Sequence, residues 1–284
     1  MRDSRNSSRS RRMNKPTANS EAARFQSGAS KYAAYLDTPE GRLRLDLGFA
    51  NLQECLPQAI GRSRALDLGC GTGGLGVRLA RLGFHVTLLD VSPSMLDFAE
   101  RAAREAGVAE GIVLRQGDAS QLATLLDTDT FDVILCHNVL EFVDDPEAVL
   151  RAAASGLRDS SSIVSVLVRN QPGEVLKAAI INGDLSAAKR SLTAEWGDES
   201  LYGGRVRLFT GKSLQAMLMA ASLDVINESG VRVIADFLPP KISREEEYGQ
   251  IFELERKLGA RPEFARVARY VQCLARPQVV KDAA

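Results

Sequence analysis

Short apolar runs alternate with amphipathic segments through the middle of this chain. The segments between the runs carry apolar residues at helical spacing, as in residues 94–106, where Ser92 and Pro93 supply a helix cap and a helix start. Strands that alternate with helices predict a parallel sheet covered on both faces, and nearly continuous apolar runs are typical of such strands. The runs that we assign to strands are residues 65–68, 85–90, 112–116, 131–136 and 163–168.

The two ends of the chain follow different patterns. Residues 21–62 are interpreted as helical, with a break at Pro39-Glu40-Gly41. Residues 172–211 are more polar and show no clear strand, so we interpret them as a lid inserted over the carboxyl edge of the sheet. Two more strands are expected beyond this lid. The elements expected there are a helix at 212–221, a strand at 225–236, a helix at 243–258 and a strand at 269–275.

The pattern therefore predicts an α/β fold, with a Rossmann-like, seven-stranded, mostly parallel sheet, helices on both faces and an inserted lid. One domain is expected to span residues 21–278, preceded by a leader at 1–20 and followed by a tail at 279–284. Composition agrees, because 284 residues with 45% hydrophobic and 25% charged side chains suffice for one large domain with its own core.

Charge is unevenly distributed along the chain. Residues 1–20 contain six basic side chains and one acidic side chain, so they carry +5, and the remainder carries −5 because the whole chain is neutral. We interpret the basic part as a disordered leader that adds non-specific affinity for phosphates. The acidic remainder lacks the basic surface that is typical of nucleic-acid-binding domains. No apolar stretch has the length of a membrane span or of a secretory signal.

Cysteine usage gives no sign of a metal site. Cys55, Cys70, Cys136 and Cys273 are scattered without a CxxC spacing, and the chain has only two histidines. These are too few ligands in the wrong pattern for structural zinc. Isolated cysteines among apolar residues are typical of buried thiols in a reducing compartment, so we expect a cytoplasmic protein without a metal.

A glycine-rich turn, Gly69-Cys70-Gly71-Thr72-Gly73-Gly74, follows the first apolar strand. Glycines between a strand and a helix let the backbone come close to a ligand, and the helix N-terminus offers free N–H groups. Asp90 ends the second strand, where it can accept hydrogen bonds from both hydroxyls of an adenosyl ribose. Both features are shared with nicotinamide-dependent oxidoreductases, so they do not choose between the two cofactors.

Two further acidic residues distinguish the cofactors. Asp67 ends the first strand, where it can meet the ammonium group of a methionine moiety, and Asp118 follows the third strand, where it can accept from an adenine amino group. Each acid also has a structural interpretation, with Asp67 and Asp90 as caps and Asp118 as a turn residue. No second phosphate-binding motif is visible, which favours S-adenosylmethionine over a dinucleotide.

At this point the residues resemble class I S-adenosylmethionine-dependent methyltransferases. The matching segments are LDLGCGTGG, LLDVSPSML, QGDAS and FDVILCHNVLEFVDDP, in that family's order and spacing, within residues 65–168. The resemblance implies S-adenosyl-L-methionine as the cofactor and methyl transfer as the activity.

A narrower resemblance covers most of the chain. The segments TPEGRLR, HNVLEFVDDPEAVL, INGDL, GVRVIADF and ARYVQCLARPQ are similar to the bacterial tRNA 5-carboxymethoxyuridine methyltransferase family, whose members methylate the side-chain carboxylate of a modified wobble uridine in tRNA. The cofactor contacts that this resemblance implies are Arg44, Gly69, Cys70, Asp90, Asp118, Ala119 and His137. The reasoning from the residues themselves adds Asp67 and Gly71.

Two departures from that family concern the substrate. Only Lys177, Lys189 and Arg190 stand where the family has a lysine-rich run, and its tyrosine-rich stretch is altered at residues 202–207. A small-molecule acceptor, such as a quinone precursor, is therefore the alternative to tRNA. A non-catalytic module that keeps the nucleotide fold is a further alternative from another class.

The acceptor chemistry points to cations rather than bases. A carboxylate is already ionised near neutral pH, so it needs no general base, and an arginine fork holds it well. Our candidates for that role are Arg205, Arg207, Arg232 and Arg269. We interpret Glu141 and Asp144-Asp145 as a helix-start cluster rather than as catalytic bases.

Overall fold

A seven-stranded sheet lies at the centre of the protein. The structure, a computed structural model, describes residues 18–279, with side chains from residue 23 onward. Two of the strands pair in a small antiparallel sheet, and the others form the central one. The strands are β1 (Arg64–Leu68), β2 (His85–Asp90), β3 (Ile112–Gln116), β4 (Val133–His137), β5 (Ile163–Arg169), β6 (Trp196–Asp198), β7 (Arg205–Arg207), β8 (Leu223–Val231) and β9 (Tyr270–Pro277).

The central sheet has the order β3-β2-β1-β4-β5-β9-β8. β1 pairs in parallel with both β2 and β4, and β3 and β5 extend the parallel part outward. β9 is antiparallel to its neighbours β5 and β8. The chain order reverses between β1 and β4, and the loops that leave two such strands diverge and open a crevice at the carboxyl edge. The predicted Rossmann-like, mostly parallel sheet is confirmed.

Helices cover both faces of the sheet. Prolines start several of them, and a side-chain cap precedes the proline at Thr38, Ser92 and Asp145. The α-helices are α1 (Ala18–Leu36), α2 (Pro39–Gln53), α3 (Gly74–Arg81), α4 (Pro93–Glu105), α5 (Leu122–Leu126), α6 (Pro146–Ser155), α7 (Gln171–Leu176), α8 (Leu185–Ser191), α9 (Gly211–Ala220), α10 (Tyr248–Gly259) and α11 (Pro262–Ala265).

The core is split by the sheet into two apolar layers. Consecutive residues of a strand point to opposite faces, so Ile134 packs in one layer and Leu135 in the other. All seven residues of β5 are buried, as expected for a strand covered on both sides. This double coverage explains why the apolar runs in the sequence are continuous rather than alternating.

The end of β8 differs from the sequence-based prediction. The strand stops at Val231 instead of continuing to Asp236, because Arg232 has a left-handed backbone with φ of 60°. The backbone N–H groups of Val233, Ile234 and Ala235 then donate to the buried carboxylate of Glu255, at 2.6–2.9 Å. Helix α10, which carries Glu255, begins at Tyr248 rather than at the predicted Ser243.

The segment expected to be a lid contains regular structure. We predicted no strand in residues 172–211, and this was wrong, because β6 and β7 lie there; each has three residues, too few for an alternating pattern to show. The segment leaves and rejoins the sheet at one place. Gln171 N–H donates to Phe209 O at 2.7 Å, and Phe209 N–H donates to Arg169 O at 3.0 Å.

The predicted leader and tail fall mainly outside the described part of the chain. Helix α1 begins at Ala18, inside the range that we assigned to the leader, and residues 1–17 lie outside the described residues. At the other end, Val279 is exposed, and residues 280–284 lie outside the described residues. None of the helices in residues 18–279 combines the length and apolarity needed to cross a membrane.

Candidate active site

The glycine turn after β1 forms the floor of a cleft at the reversal of the chain order. Gly69 has φ of 64°, a conformation that side chains disfavour, and a Cβ there would lie 2.6 Å from Cγ2 of Val139. Gly71 has φ of 54°, and a Cβ there would lie 3.0 Å from Cε1 of Tyr32. The bare backbone at these two positions leaves room for a ligand between the loops after β1 and β4.

Asp90 stands at the carboxyl end of β2 and faces the glycine turn. Its Oδ2 accepts from Gly71 N–H and its Oδ1 accepts from Ser92 N–H, both at 2.9 Å. Burial raises the pKa of this carboxyl group. A carboxylate has about four acceptor positions, so Asp90 keeps acceptor capacity beyond these backbone donors. That capacity suits the ribose hydroxyls expected from the sequence.

Asp67 lies deeper, beneath the turn. Its Oδ2 accepts from Gly76 N–H at 3.1 Å, and the residue is 3% exposed. Burial, with a contribution from the nearby Asp90 charge, raises the pKa of Asp67 to about 7. A buried carboxylate with one neutral donor gains from a cation beside it, so the site suits an ammonium group.

Arg44 and His137 close the inner end of the cleft. Arg44 reaches in from α2, donating to Asn138 Oδ1 at 2.9 Å and to the Tyr32 hydroxyl at 2.8 Å. His137 Nε2 lies 2.7 Å from Ser165 Oγ. Burial, and then the Arg44 charge, lower the pKa of His137 to about 3. The imidazole is therefore neutral at physiological pH and a weak base.

The structure brings all nine predicted cofactor residues together. The cleft has an empty volume of about 1080 Å³, counted out to its open mouth. Asp118 and Ala119 lie at its outer end, after β3. Asp67 and Cys70 line a smaller pocket that shares Gly69 and Arg44 with the cleft. The predicted residues that line the cleft itself are Arg44, Gly69, Gly71, Asp90, Asp118, Ala119 and His137.

Glu141 is a cleft residue that the sequence analysis placed elsewhere. We interpreted it as part of a helix start, but α6 begins at Pro146 and is capped by Asp145, which accepts from Ala148 N–H at 2.9 Å. Glu141 is 3% exposed and lines the cleft after β4. Its Oε1 accepts from Asn138 Nδ2 and from Arg169 N–H, both at 2.8 Å.

Arg169 also lines the cleft and was not among the predicted arginines. It ends β5, and its guanidinium donates to Asp198 O at 3.0 Å and to Glu199 Oε2 at 2.9 Å. Its position at the carboxyl edge, directly after an apolar run, is the signal in the sequence that identifies it. Arg169 thus joins the cleft wall to the lid strand β6.

The four predicted substrate arginines lie away from the cleft lining. Arg205 and Arg207 extend from β7 and stack on Trp196, with guanidinium carbons 5.4 and 4.9 Å from the ring centroid. Arg232 pairs with Asp236 and donates to the Tyr35 hydroxyl at 2.8 Å, and Arg269 donates to Glu174 at 2.6 Å. Carboxylates thus already partner Arg232 and Arg269, which lie just outside the ends of β8 and β9.

Comparison with known proteins assigns the chain to a family. The sequence profile described as Methyltransferase domain matches residues 61–253. The tRNA 5-carboxymethoxyuridine methyltransferase of Escherichia coli K12 is 29% identical over 270 residues, which cover 91% of this chain and 97% of that protein. A ubiquinone biosynthesis O-methyltransferase of Xanthomonas axonopodis is 33% identical over 118 residues, covering 42% of this chain and 48% of that protein.

A solved structure shows the same fold. A methyltransferase from Thermotoga maritima, described as a possible histamine N-methyltransferase, superimposes with a TM-score of 0.59 at 15% identity, covering 90% of this chain and 99% of that one. The fold and the site therefore define a Rossmann-like methyltransferase. The chain belongs to the methyltransferase domain family, and its cofactor is S-adenosyl-L-methionine.

Proposed function

We propose that this methyltransferase acts on tRNA, where it methylates the side-chain carboxylate of a modified wobble uridine. The observation that supports this most is the extent of the similarity to the E. coli tRNA 5-carboxymethoxyuridine methyltransferase, which covers 91% of the chain. The match to the ubiquinone biosynthesis O-methyltransferase covers only 42% of the chain. The similarity to the tRNA enzyme therefore extends well beyond the part of the chain that also matches the ubiquinone enzyme, and beyond residues 61–253 that the family profile matches.

Methyl transfer to a carboxylate requires mainly that the protein position the cofactor and the acceptor. Bound in the cleft, the cofactor supplies a methyl group on a positively charged sulfur. One oxygen of the acceptor carboxylate bonds to the methyl carbon while the carbon–sulfur bond breaks, and that electron pair stays on sulfur. No proton is released, because a carboxylate with a pKa near 4 is already ionised at about pH 7. Aligning the two reactants can supply most of the rate.

Arginines cluster near one part of the cleft wall, where carboxylates pair with three of them. Tyr270 lines the cleft, and burial opposes ionisation of its hydroxyl, yet its pKa is lowered to about 8. Nearby guanidinium groups cause the decrease, and their charges converge on the same part of the wall. The arginines responsible are Arg44, Arg232, Arg169 and Arg269.

Two of the predicted substrate arginines, Arg232 and Arg269, belong to this cluster and remain candidates. The charges of Arg232 and Arg269 lower the pKa of Tyr270, and Arg169 lies on the lining itself. Arg205 and Arg207 remain candidates through the lid, since β7 borders the cleft through Val206. We therefore assign Arg169 as the arginine best placed to face the acceptor carboxylate.

The alternative acceptor is a small molecule such as a quinone precursor. The −5 charge of residues 21–284 supports it, as does the partial similarity to the ubiquinone enzyme. A phenol acceptor must lose a proton, so it needs a base. His137, with a pKa lowered to about 3, is poorly suited to that role.

The deciding experiment is methylation of tRNA that carries 5-carboxymethoxyuridine, followed by mass spectrometry of the nucleosides. We expect a methyl ester on the wobble uridine, formed by the wild type and lost in an Asp90→Ala variant. At saturating cofactor, kcat should be nearly constant from about pH 6 to about pH 8, since the acceptor stays ionised. An unmodified tRNA, together with turnover of a catechol or phenol whose rate rises steeply with pH, would replace this proposal by the small-molecule alternative.

A further inference from the structure

The two oxygens of the Glu141 carboxyl group have different surroundings. Oε1 accepts two hydrogen bonds, from Asn138 Nδ2 and from Arg169 N–H, each at 2.8 Å. Oε2 is fully buried and has no hydrogen-bond partner among the described residues. The residue lines the cleft where the acceptor is expected, which makes this unpartnered oxygen a candidate to bind it.

This asymmetry matches a neutral carboxylic acid. In that form Oε1 is the carbonyl oxygen, which accepts two bonds, and Oε2 carries the proton, which needs an acceptor. In the ionised form, a buried anionic oxygen would have no donor, which is a costly arrangement in a protein interior. Burial raises the pKa of Glu141, which favours the same neutral form.

The surroundings of Glu141 hold this group in place. The backbone N–H of Arg207 donates to the backbone carbonyl of Glu141 at 3.0 Å, which ties it to the lid strand β7. The side chain that follows, Phe142, packs edge-to-face on Phe25 with ring centroids 5.1 Å apart, and Tyr202 lies 6.2 Å from the same ring. These three aromatic residues also line the cleft.

We propose that Glu141 is a protonated substrate-binding residue whose Oε2–H donates a hydrogen bond to one oxygen of the acceptor carboxylate, leaving the other oxygen free to attack the methyl carbon. The proton stays on Glu141 throughout, so the charge balance of the transfer is unchanged. A hydrogen bond to an ionised acceptor is about twice as strong as a neutral one. A buried carboxyl group kept neutral so that it can donate is an established catalytic pattern in other enzymes.

This inference rests on the proposed carboxylate acceptor. If Glu141 were ionised instead, its Oε2 would accept a proton or a hydrogen bond, and the acceptor would be a hydroxyl or an amine. Glutamine can replace a protonated Glu141, which donates a hydrogen bond, but it cannot replace an ionised Glu141, which accepts a proton. A glutamine Oε1 accepts from Asn138 and Arg169, and its amide N–H donates into the cleft as a protonated acid would, but it accepts no proton.

The experiment compares Glu141→Gln, Glu141→Met and the exposed control Glu147→Gln. It measures methyl transfer to carboxymethoxyuridine-containing tRNA and the affinity of the S-adenosylhomocysteine-loaded enzyme for that tRNA and for its methyl ester. For the wild type, we expect about tenfold tighter binding of the acid than of the ester. Glu141→Gln should keep that ratio and keep kcat/KM within about threefold, whereas Glu141→Met should lose the ratio.

The ratio of the affinities for the acid and for the ester separates hydrogen-bond donation by Glu141 from a structural role. A structural defect weakens the binding of acid and ester alike and leaves their ratio unchanged. An inactive Glu141→Gln enzyme with wild-type cofactor affinity, or a ratio that survives in Glu141→Met, would overturn the inference while tRNA methylation by the wild type still stands. Absence of tRNA methylation by the wild type would instead remove the proposed function.

A spectroscopic measurement tests the protonation state independently of activity. Infrared difference spectra between the wild type and Glu141→Gln, both loaded with S-adenosylhomocysteine, should contain the C=O stretch of a protonated carboxylic acid. A carboxylate band in its place would show that Glu141 is ionised and would overturn the inference.

Discussion

The carboxylate of Asp90 holds the backbone N–H of Gly71 at 2.9 Å and so joins the end of β2 to the turn after β1. The same side chain restrains Ser92 N–H at the start of α4. One buried acid therefore sets both the shape of the glycine turn and the position where the cofactor ribose is expected.

Replacing Asp90 should weaken cofactor binding more than it weakens the fold. We expect Asp90→Ala to raise the Kd for S-adenosylhomocysteine at least tenfold, since charge-assisted hydrogen bonds to hydroxyls contribute about 1.5–3 kcal/mol each. Asp90→Asn keeps one acceptor oxygen and should lie between the wild type and the alanine variant. Isothermal titration calorimetry measures the affinities, and circular dichroism checks folding. Wild-type affinity in a folded alanine variant would remove Asp90 from the cofactor site.

The affinity for the cofactor should depend on the protonation of Asp67. Its pKa is raised to about 7 by burial, so the fraction that is ionised grows as the pH rises through that value. Only the ionised form attracts an ammonium group, so the Kd for S-adenosylhomocysteine should fall between about pH 6 and about pH 8. Asp67→Asn should bind more weakly and with a flat profile. A similar slope in the variant would assign the titration to another group, such as Asp90, whose pKa is also raised.

The same shift affects the stability of the ligand-free protein. The folded state holds a proton on Asp67 up to about pH 7, whereas the ordinary pKa is 3.8. Between these values the folded state binds more protons than the unfolded state, so stability falls as the pH rises. We expect part of this loss to disappear in Asp67→Asn and when S-adenosylhomocysteine is bound. Denaturant titrations at about pH 5 and about pH 7 measure both effects, because these values lie inside the window.

Gly69→Ala tests the close approach of the two loops. The substitution combines a left-handed backbone with a 2.6 Å contact to Val139 Cγ2, so it should both destabilise the fold and obstruct the cofactor. Gly61→Ala is a matched control, because Gly61 has φ of 53° and a Cβ there meets nothing within 4 Å. The control should lose only about 1–2 kcal/mol of stability and keep cofactor affinity. If the two variants lose stability equally and both bind cofactor, the loops are not in close contact.

Arg169 is the arginine whose replacement should reduce methylation of the acceptor most. Arg169→Lys keeps the charge but loses the planar fork that also contacts Asp198 and Glu199, so kcat/KM for tRNA should fall about tenfold while cofactor affinity stays near that of the wild type. The same exchange at Arg232, Arg269, Arg205 and Arg207 tests the remaining candidates. A wild-type rate in Arg169→Lys, with a large loss in one of the other four, would transfer the assignment to that residue.

Apolar patterns along the chain predicted the order of strands and helices and the place of the candidate cofactor residues at the sheet edge. The order of strands and helices follows from apolar periodicity, and residues at strand ends, such as Asp67 and Asp90, meet at one edge because the strands are parallel. Glu141 could not be placed in this way. It lies in an irregular stretch between β4 and α6, where the direction of a side chain depends on tertiary contacts such as the Asn138 hydrogen bond.

Apolar periodicity also does not reveal which acidic residue forms an ion pair with a given arginine. Arg232 and Arg269 were predicted to lie on the last two strands, but Arg232 follows the last residue of β8 and Arg269 precedes the first residue of β9. The ion pair of Arg269 with Glu174 joins residues that are far apart in the sequence. The left-handed backbone at Arg232, which ends β8 early, likewise has no signature in an apolar run.

The bridge between Asn170 and Phe209 has a consequence for how such an enzyme diversifies. The intervening segment departs from and returns to a single point on the sheet, so a change in its length need not move β5. A segment of this kind is a natural unit of exchange between relatives, because closing a longer loop costs only about 0.6 kcal/mol for each doubling of length. An exchange of residues 171–208 would still have to keep the contacts of Glu199 with Arg169 and of Arg207 with Glu141, because these join the segment to the cleft.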